Sequence, residues 1–260
     1  VLLMPREPER TINAVVAAVE SGRVTEERVE QSVRRLLRLK ARAGLDRGAE
    51  VDTEVIPSIV GVDTHTSVAD TVASRSLTLV RDLAGDVPFD SSYTRRVLSL
   101  TFSRSTDLAA GRVFDARLRE ATKVVQARTN VESHASVYDS LVRVAVDADL
   151  VLISAYVPPR TAEPLLALPD ALTQFVSRVE GLGTPTVLVS FGTPYILDSL
   201  PEAFAYLVAW GGSAASQRAA ADALLGRSPI TGRLPISLPP LHRMGEGVDR
   251  NIGAFRPRTS

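Results

Sequence analysis

DADLVLISAY (residues 147–156) and PTVLVSFGTPYIL (185–197) decide the fold of this chain. Each holds an unbroken run, Leu150-Val151-Leu152-Ile153 and Thr186-Val187-Leu188-Val189, too short for a helix and rich in strand-forming residues. A strand apolar on both faces belongs in a sheet covered on both faces, which is the habit of parallel sheets. Parallel strands need a long crossover, and residues 168–181, with helical periodicity, provide it.

The same alternation extends in both directions. Helical patterns fall at 67–76, 114–121 and 137–147, and strand patterns at 77–80, 97–102 and 123–127. A last helix, 214–225, is capped by Ser213 and closed by Gly226. The expectation is an α/β domain over 67–241, a mostly parallel sheet sandwiched by helices, followed by a tail at 242–260. Pro235 and Pro239 flank a short apolar piece that suits an edge strand. Tyr206 and Trp210 follow Phe204 and Leu207 at helical spacing, which makes them core or interface residues before it makes them a stacking platform for a sugar.

The first 45 residues are different. Val1-Leu2-Leu3-Met4-Pro5 reads as the end of a buried strand. Residues 11–20 place Ile12, Val15, Val16 and Val19 on one helical face, and Ser21-Gly22-Arg23 ends that helix. Thr25 caps a second helix reaching Ala43, with Val29, Val33, Leu36, Leu37 and Leu39 apolar, and Gly44 stops it. One strand and two helices cannot enclose a core, so residues 1–45 are expected to pack against chain preceding Val1, where any signal peptide would also lie. Residues 46–66, broken by Gly48, Pro57 and Gly61, read as a linker.

Composition narrows the chemistry. Thirty basic side chains balance thirty acidic ones over 260 residues, which gives no electrostatic reason to expect nucleic acid or an anionic membrane. No apolar run approaches the roughly 18 residues needed to span a bilayer. The absence of cysteine removes thiol nucleophiles and thiolate metal sites and leaves localisation open. Three scattered histidines make no metal-binding pair, so no metal is expected, and there is no GxGxxG or Walker sequence, so no nucleotide cofactor is expected either.

Four places remain for chemistry. Ser190 ends a strand and is followed by Asp198 or Asp222 and then His242, the chain order of an α/β-hydrolase triad. A nucleophile elbow wants small residues two before and two after the serine; Gly192 satisfies this and Leu188 does not, so a polar strand end or interface contact is the preferred reading. Ser190, Thr193 and Tyr195 then share a strand's carboxyl end, where open α/β sheets present ligand or partner surfaces. His134 stands beside Glu132 in a polar loop before a helix, and a solvated histidine in an N-cap region is preferred to a substrate contact. Arg81-Asp82, just past a strand, is read as an ion pair across domains, and Gly211-Gly212-Ser213 as a turn and cap before an anion site.

In order and spacing, VLLMP (1–5), AVESGRVTEERVEQSVRRLLRLKARAGL (18–45) and ASRSLTLVRD (73–82) resemble the end of the family 3 glycoside hydrolase barrel and its passage into a second domain. DADLVLISAY, PTVLVSFGTPYIL, LVAWGGSAASQRAAADALLG (207–226) and GRLPISLP (232–239) are similar to that family's C-terminal α/β sandwich, and FGTPY with the closing GRLPISLP looks most like its two-domain N-acetylglucosaminidase branch. The resemblance implies that residues 1–45 are the last strand and helices of a truncated TIM-type barrel. It implies a retaining exo-β-N-acetylglucosaminidase acting on an N-acetylglucosamine-containing glycan, with the upstream barrel as partner. It places the nucleophilic Asp and an Asp–His acid/base pair before Val1, so that no catalytic residue is carried over to this chain and the chain alone is expected to be inactive. Glucosidase-type members carry an acid/base Glu on the sandwich; here Glu132, Glu163 and Glu180 are the glutamates between 121 and 200, and none sits in a matching motif. The alternatives are a β-glucosidase or xylosidase, a non-catalytic carbohydrate-binding module, and a serine hydrolase built on Ser190.

Overall fold

The computed structural model describes residues 2–48, 50–158, 168–200 and 203–255; Val1 and Glu163 lie outside them. The chain divides into two compact units, residues 1–60 and 61–260.

In the first unit, helix α1 (Pro8–Glu20) and helix α2 (Glu26–Arg42) are followed by a single turn, α3 (Ile56–Ile59). Thr25 caps α2 as its position predicts, its hydroxyl accepting the Arg28 N–H at 3.2 Å. Ala18 is the one buried residue of the two long helices, while Ile12, Val16, Leu36 and Leu37 stay exposed. Two amphipathic helices cannot close a core between them, so their apolar faces stand open. The strand expected at the start of the chain is not formed: residues 2–5 lie outside any strand, and Leu2, Leu3 and Met4 are exposed. A strand requires a neighbour for its N–H and C=O groups, and no described residue supplies one.

The second unit is the α/β sandwich. Helix α4 (Asp63–Ser76) runs into β1 (Thr78–Asp82). Then follow β2 (Arg96–Phe102), α5 (Arg112–Leu118), β3 (Lys123–Thr129), α6 (Ala135–Val146), β4 (Leu150–Ala155), α7 (Asp170–Gly181), β5 (Thr186–Ser190), a 3-10 turn (Pro194–Ser199), β6 (Ala205–Val208) and α8 (Ala214–Leu224). The sheet order is β1-β6-β5-β4-β2-β3, with five strands parallel and β1 antiparallel to β6.

Both faces are buried, as the continuous apolar strands require. Leu150, Leu152, Val187, Val189 and Leu207 pack on one face with α4, α5 and α8, whereas Val151, Ile153, Leu188, Tyr206 and Val208 pack on the other with α6 and α7. A side-chain period of two therefore sorts each strand into two cores. Two local expectations need correcting. Tyr206 lies on a strand, not at helical spacing, because residues 205–208 pair with both β1 and β5. Residues 235–239 form no strand; Leu238 makes only an isolated bridge to His242, the two prolines leaving too few N–H donors for a ladder.

After α8 the chain returns along the sheet edge. Gly232 N–H donates to Leu77 O at 3.1 Å and Val248 N–H to Leu79 O at 2.7 Å, so β1 does not present a bare edge. A Cβ at Gly232 would lie 2.3 Å from the Leu77 carbonyl oxygen, so only glycine permits this approach. No helix among the described residues is long and apolar enough to cross a membrane.

Candidate functional site

The parallel strands end together at Phe102, Thr129, Ala155, Ser190 and Val208, and their exits are bound to one another. Tyr156 N–H donates to Phe102 O, Phe191 N–H to Ala155 O, Thr193 N–H to Val157 O and Ala209 N–H to Ser190 O, each at 2.8 Å. This continues the ladder one or two residues beyond the strands and makes the carboxyl edge a rigid platform. Tyr156 stacks flat on Phe191, and Phe114 meets Phe191 edge-on at 5.4 Å. A Cβ at Gly192 would lie 2.1 Å from Val157 O, so glycine is what lets the β5 exit pass the β4 exit.

The Ser190 hydroxyl is fully buried and donates to Thr193 O at 2.8 Å. Thr193 is also buried; its hydroxyl accepts the Tyr195 N–H and caps the 3-10 turn. Tyr206 donates its hydroxyl to Pro194 O at 2.7 Å, and burial raises its pKa above the usual phenol range. Ser190 and Thr193 thus lock the turn, and Tyr195 is the half-buried member of the group. The hydrolase reading fails here. His242 belongs to the opposite edge of the sheet, Asp222 is held by Arg117 at 2.7 Å, and a fully buried serine committed to a carbonyl cannot attack a substrate.

His134 also lies at the carboxyl edge, exposed as the N-cap residue of α6, but its side chain makes no capping bond. It follows β3, separated from β5 by β2 and β4, so about 14 Å of sheet lies between it and Ser190. Glu132 is exposed in the same loop.

Arg81 and Asp82 sit elsewhere. Because β1 runs antiparallel, Asp82 is level with Ala205, at the amino edge of the parallel strands. The Asp82 carboxylate is fully buried, accepts the N–H groups of Asp86 and Val87, and pairs with Arg250 at 2.6 Å. Its ion pair is made inside the sandwich, not across domains. Arg81 donates to Ala203 O at 3.3 Å and approaches His242 Nε2 at 3.3 Å. A guanidinium can only donate, so Nε2 accepts, and Nδ1 carries the proton toward Glu246 at 2.9 Å. That contact with His242 holds the Glu246 carboxyl below its ordinary pKa.

Two residues that tie helix α5 to its neighbours, Asp115 and Gln217, escaped the sequence reading. Asp115 is buried; it accepts from Ser99 Oγ at 2.6 Å and from Gln126 Nε2, and burial raises its pKa against the pull of those bonds. Gln217 accepts the N–H groups at the start of α5, Val113 at 3.1 Å and Phe114 at 3.2 Å, and donates to Gly212 O at 2.9 Å. It thereby ties α5 to α8. Trp210 takes a positive φ of 63° and donates its indole N–H to Ser76 O at 2.8 Å, so it fastens the α4–β1 junction instead of offering a free ring. Ser213 caps α8 through the Ser216 N–H, as its place before the helix predicts. No group of three or more metal-ligating side chains gathers among the described residues.

This architecture has known counterparts. Residues 9–251 match the Glycosyl hydrolase family 3 C-terminal domain, a match that reaches into the stretch after 241. A Cellulomonas fimi protein described as a beta-N-acetylglucosaminidase/beta-glucosidase is 27% identical over 236 residues, covering 85% of this chain and 40% of the relative. Among solved structures, a family 3 beta-N-acetylglucosaminidase from Paenibacillus sp. str. FPU-7 is similar with a TM-score of 0.64 and 22% identity, over 89% of this chain and 43% of that one. A beta-glucosidase from Listeria innocua in complex with isofagomine is similar with a TM-score of 0.64 and 22% identity, over 86% of this chain and 34% of that one. The chain spans less than half the length of these relatives. The sheet order, the two-faced core and the match over residues 9–251 lead to one conclusion: the chain belongs to glycosyl hydrolase family 3 and carries its C-terminal domain.

Proposed function

We propose that this chain is the C-terminal portion of a retaining exo-acting β-N-acetylglucosaminidase, with the carboxyl-group chemistry on an upstream barrel and the sandwich as its support. The observation that supports this reading is the family match over residues 9–251, in a chain whose buried Ser190 hydroxyl and Asp82–Arg250 ion pair are committed to holding loops. The carboxyl-edge loops, where Glu132 and His134 are exposed and Tyr195 is half-buried, are the part of the sandwich proposed to meet the barrel or the sugar. The open apolar faces of α1 and α2 are consistent with helices that complete a larger body.

A β-glucosidase is the second reading, favoured by the double description of the Cellulomonas relative and by Glu132, an exposed carboxylate at the carboxyl edge. The two are separated by assaying the full-length protein on nitrophenyl N-acetylglucosaminide and nitrophenyl glucoside, with Glu132→Gln and Glu163→Gln beside the wild type. The first reading expects preference for the N-acetylated substrate and turnover within about twofold in both variants. Loss of a general acid costs about 10²–10⁴-fold, and such a loss in either variant, with glucoside preferred, would establish the second. Turnover by the 260-residue chain alone would overturn both.

A further inference from the structure

The amino edge of the parallel strands carries a cleft that the proposed function does not use. Its volume of about 940 Å³ is that of a sizeable ligand site. One wall is the loop leaving β1 and another the turn that enters β5. Phe89 forms the buried base, and Tyr93, Phe204 and Phe255 present rings that are 80%, 43% and 37% exposed.

Each ring is placed by its own backbone. Tyr93 stands in a turn closed by Asp90, whose carbonyl oxygen accepts the N–H groups of Tyr93 and Thr94 at 3.2 and 2.8 Å. Phe204 donates its N–H to Glu180 Oε1 at 3.3 Å, and its carbonyl oxygen accepts the Leu83 N–H at 2.8 Å. The Phe255 ring packs where a Cβ on Gly226 would come within 2.8 Å of it, so that glycine makes room for the ring. Loops fixed in this way lose little freedom when a ligand binds.

The polar groups decide between ligands. Asp86 and Glu180 are already engaged by other groups of the protein, so the cleft holds no pair of carboxylates for a cation. Among the described residues its lining has no lysine, arginine or histidine, so an anion finds no counter-charge. Asp90 Oδ1 accepts the Ser92 N–H at 2.8 Å, and its second carboxylate oxygen makes no bond among the described residues. Tyr93 and Thr184 add hydroxyls. Apolar ring faces beside a hydroxyl-accepting oxygen suit a neutral molecule with flat C–H faces and O–H groups at its rim. A proline-rich strand would use the rings alone, because its prolines have no N–H to give to Asp90. We infer that this cleft binds a neutral pyranose sugar of a glycan, stacked on the exposed rings with a hydroxyl donating to Asp90. Such a site needs no reacting groups and is independent of which sugar the parent enzyme cleaves.

The test is an NMR amide-shift titration of the 260-residue chain with cellobiose and with N,N′-diacetylchitobiose, and with decaproline as the competing class of ligand. Saturable shifts in the millimolar range with at least one disaccharide, confined to residues around Asp90, Tyr93 and Phe204, are the expected result. Tyr93→Ala, whose exposed ring is not needed for folding, lowers sugar affinity about fivefold through loss of one stacking face and leaves Tm unchanged. Asp90→Asn keeps an oxygen for the Ser92 N–H but turns the acceptor facing the sugar into a neutral amide, and lowers affinity at least about threefold. No saturable shift with either disaccharide, shifts only around His134 and Tyr195, tighter binding of decaproline at the same residues, or sugar affinity unchanged in both variants would overturn the proposal. None of these outcomes bears on the proposed glycosidase, which is read from turnover by the full-length protein.

Discussion

The ring of Tyr156 lies on that of Phe191 with centroids 4.6 Å apart and planes 6° from parallel, joining the exits of two neighbouring strands. Both residues are nearly fully buried, and Phe191 also receives the edge of Phe114. Phe191→Ala removes both contacts and leaves a cavity under the β5 exit, a change that costs about 3–5 kcal/mol. Urea unfolding should show the midpoint falling by that free energy divided by the slope, with the slope itself unchanged.

Gly192→Ala tests the close passage of the β5 exit over Val157. The added methyl meets a backbone oxygen, not a movable side chain, so the loop itself must shift. We expect at least about 3 kcal/mol of destabilisation, at the upper end for overpacking. A thermal melt within 1–2 °C of wild type would show that the passage is looser than the geometry indicates.

Arg250→Met leaves the buried carboxylate of Asp82 without its cation. Breaking one partner of a buried pair costs about 3–5 kcal/mol, whereas the surface pair Arg34–Glu30 should cost less than about 1 kcal/mol when broken. The comparison by chemical denaturation has a built-in control. Equal, small effects would mean that water reaches Asp82.

Asp115 makes stability depend on pH with a definite sign. Its pKa is raised in the folded protein, chiefly by burial, so the native state holds its proton more tightly than the unfolded chain. Stability therefore falls as pH rises from about 4, the unfolded carboxyl value, through the raised folded value, and is flat with respect to this group outside that window. Asp115→Asn removes this component. Unfolding free energies measured from pH 3 to 8 should show a more negative slope for wild type than for the variant just above pH 4. Parallel curves would mean that the Ser99 and Gln126 bonds fully offset the burial.

Ser190→Ala should cost about 1 kcal/mol, because Thr193 O loses a donor. Nitrophenyl ester hydrolysis should be indistinguishable between the two proteins.

Much of the sheet was legible because its strands are apolar on both faces. Val187 and Leu188 each need a core, and a two-residue period hands them to opposite ones. The capping roles of Thr25 and Ser213 were equally local, and so could be read from neighbouring residues. What escaped depends on partners distant in sequence. Nothing around Asp82 announces Arg250, 168 residues later, and nothing around Asp115 announces a bond to Gln126 on the adjoining strand. Strand β6 is four residues long and is followed, two residues past its end, by a tryptophan with left-handed backbone, which left too little alternation to read and made Tyr206 look helical. The candidate residues fell on both edges of the sheet because the sequence does not state that β1 runs backward.

That reversal has a consequence for how the domain tolerates change. The five residues of β5 hold its two ends about 13 Å apart, beyond the range over which substitutions ordinarily couple. Substitutions among Thr193 and Tyr195 should therefore combine additively with those at Asp82 or Arg250. A change that loosens the Ser190–Thr193 turn should leave the Asp82–Arg250 pair intact, and the reverse.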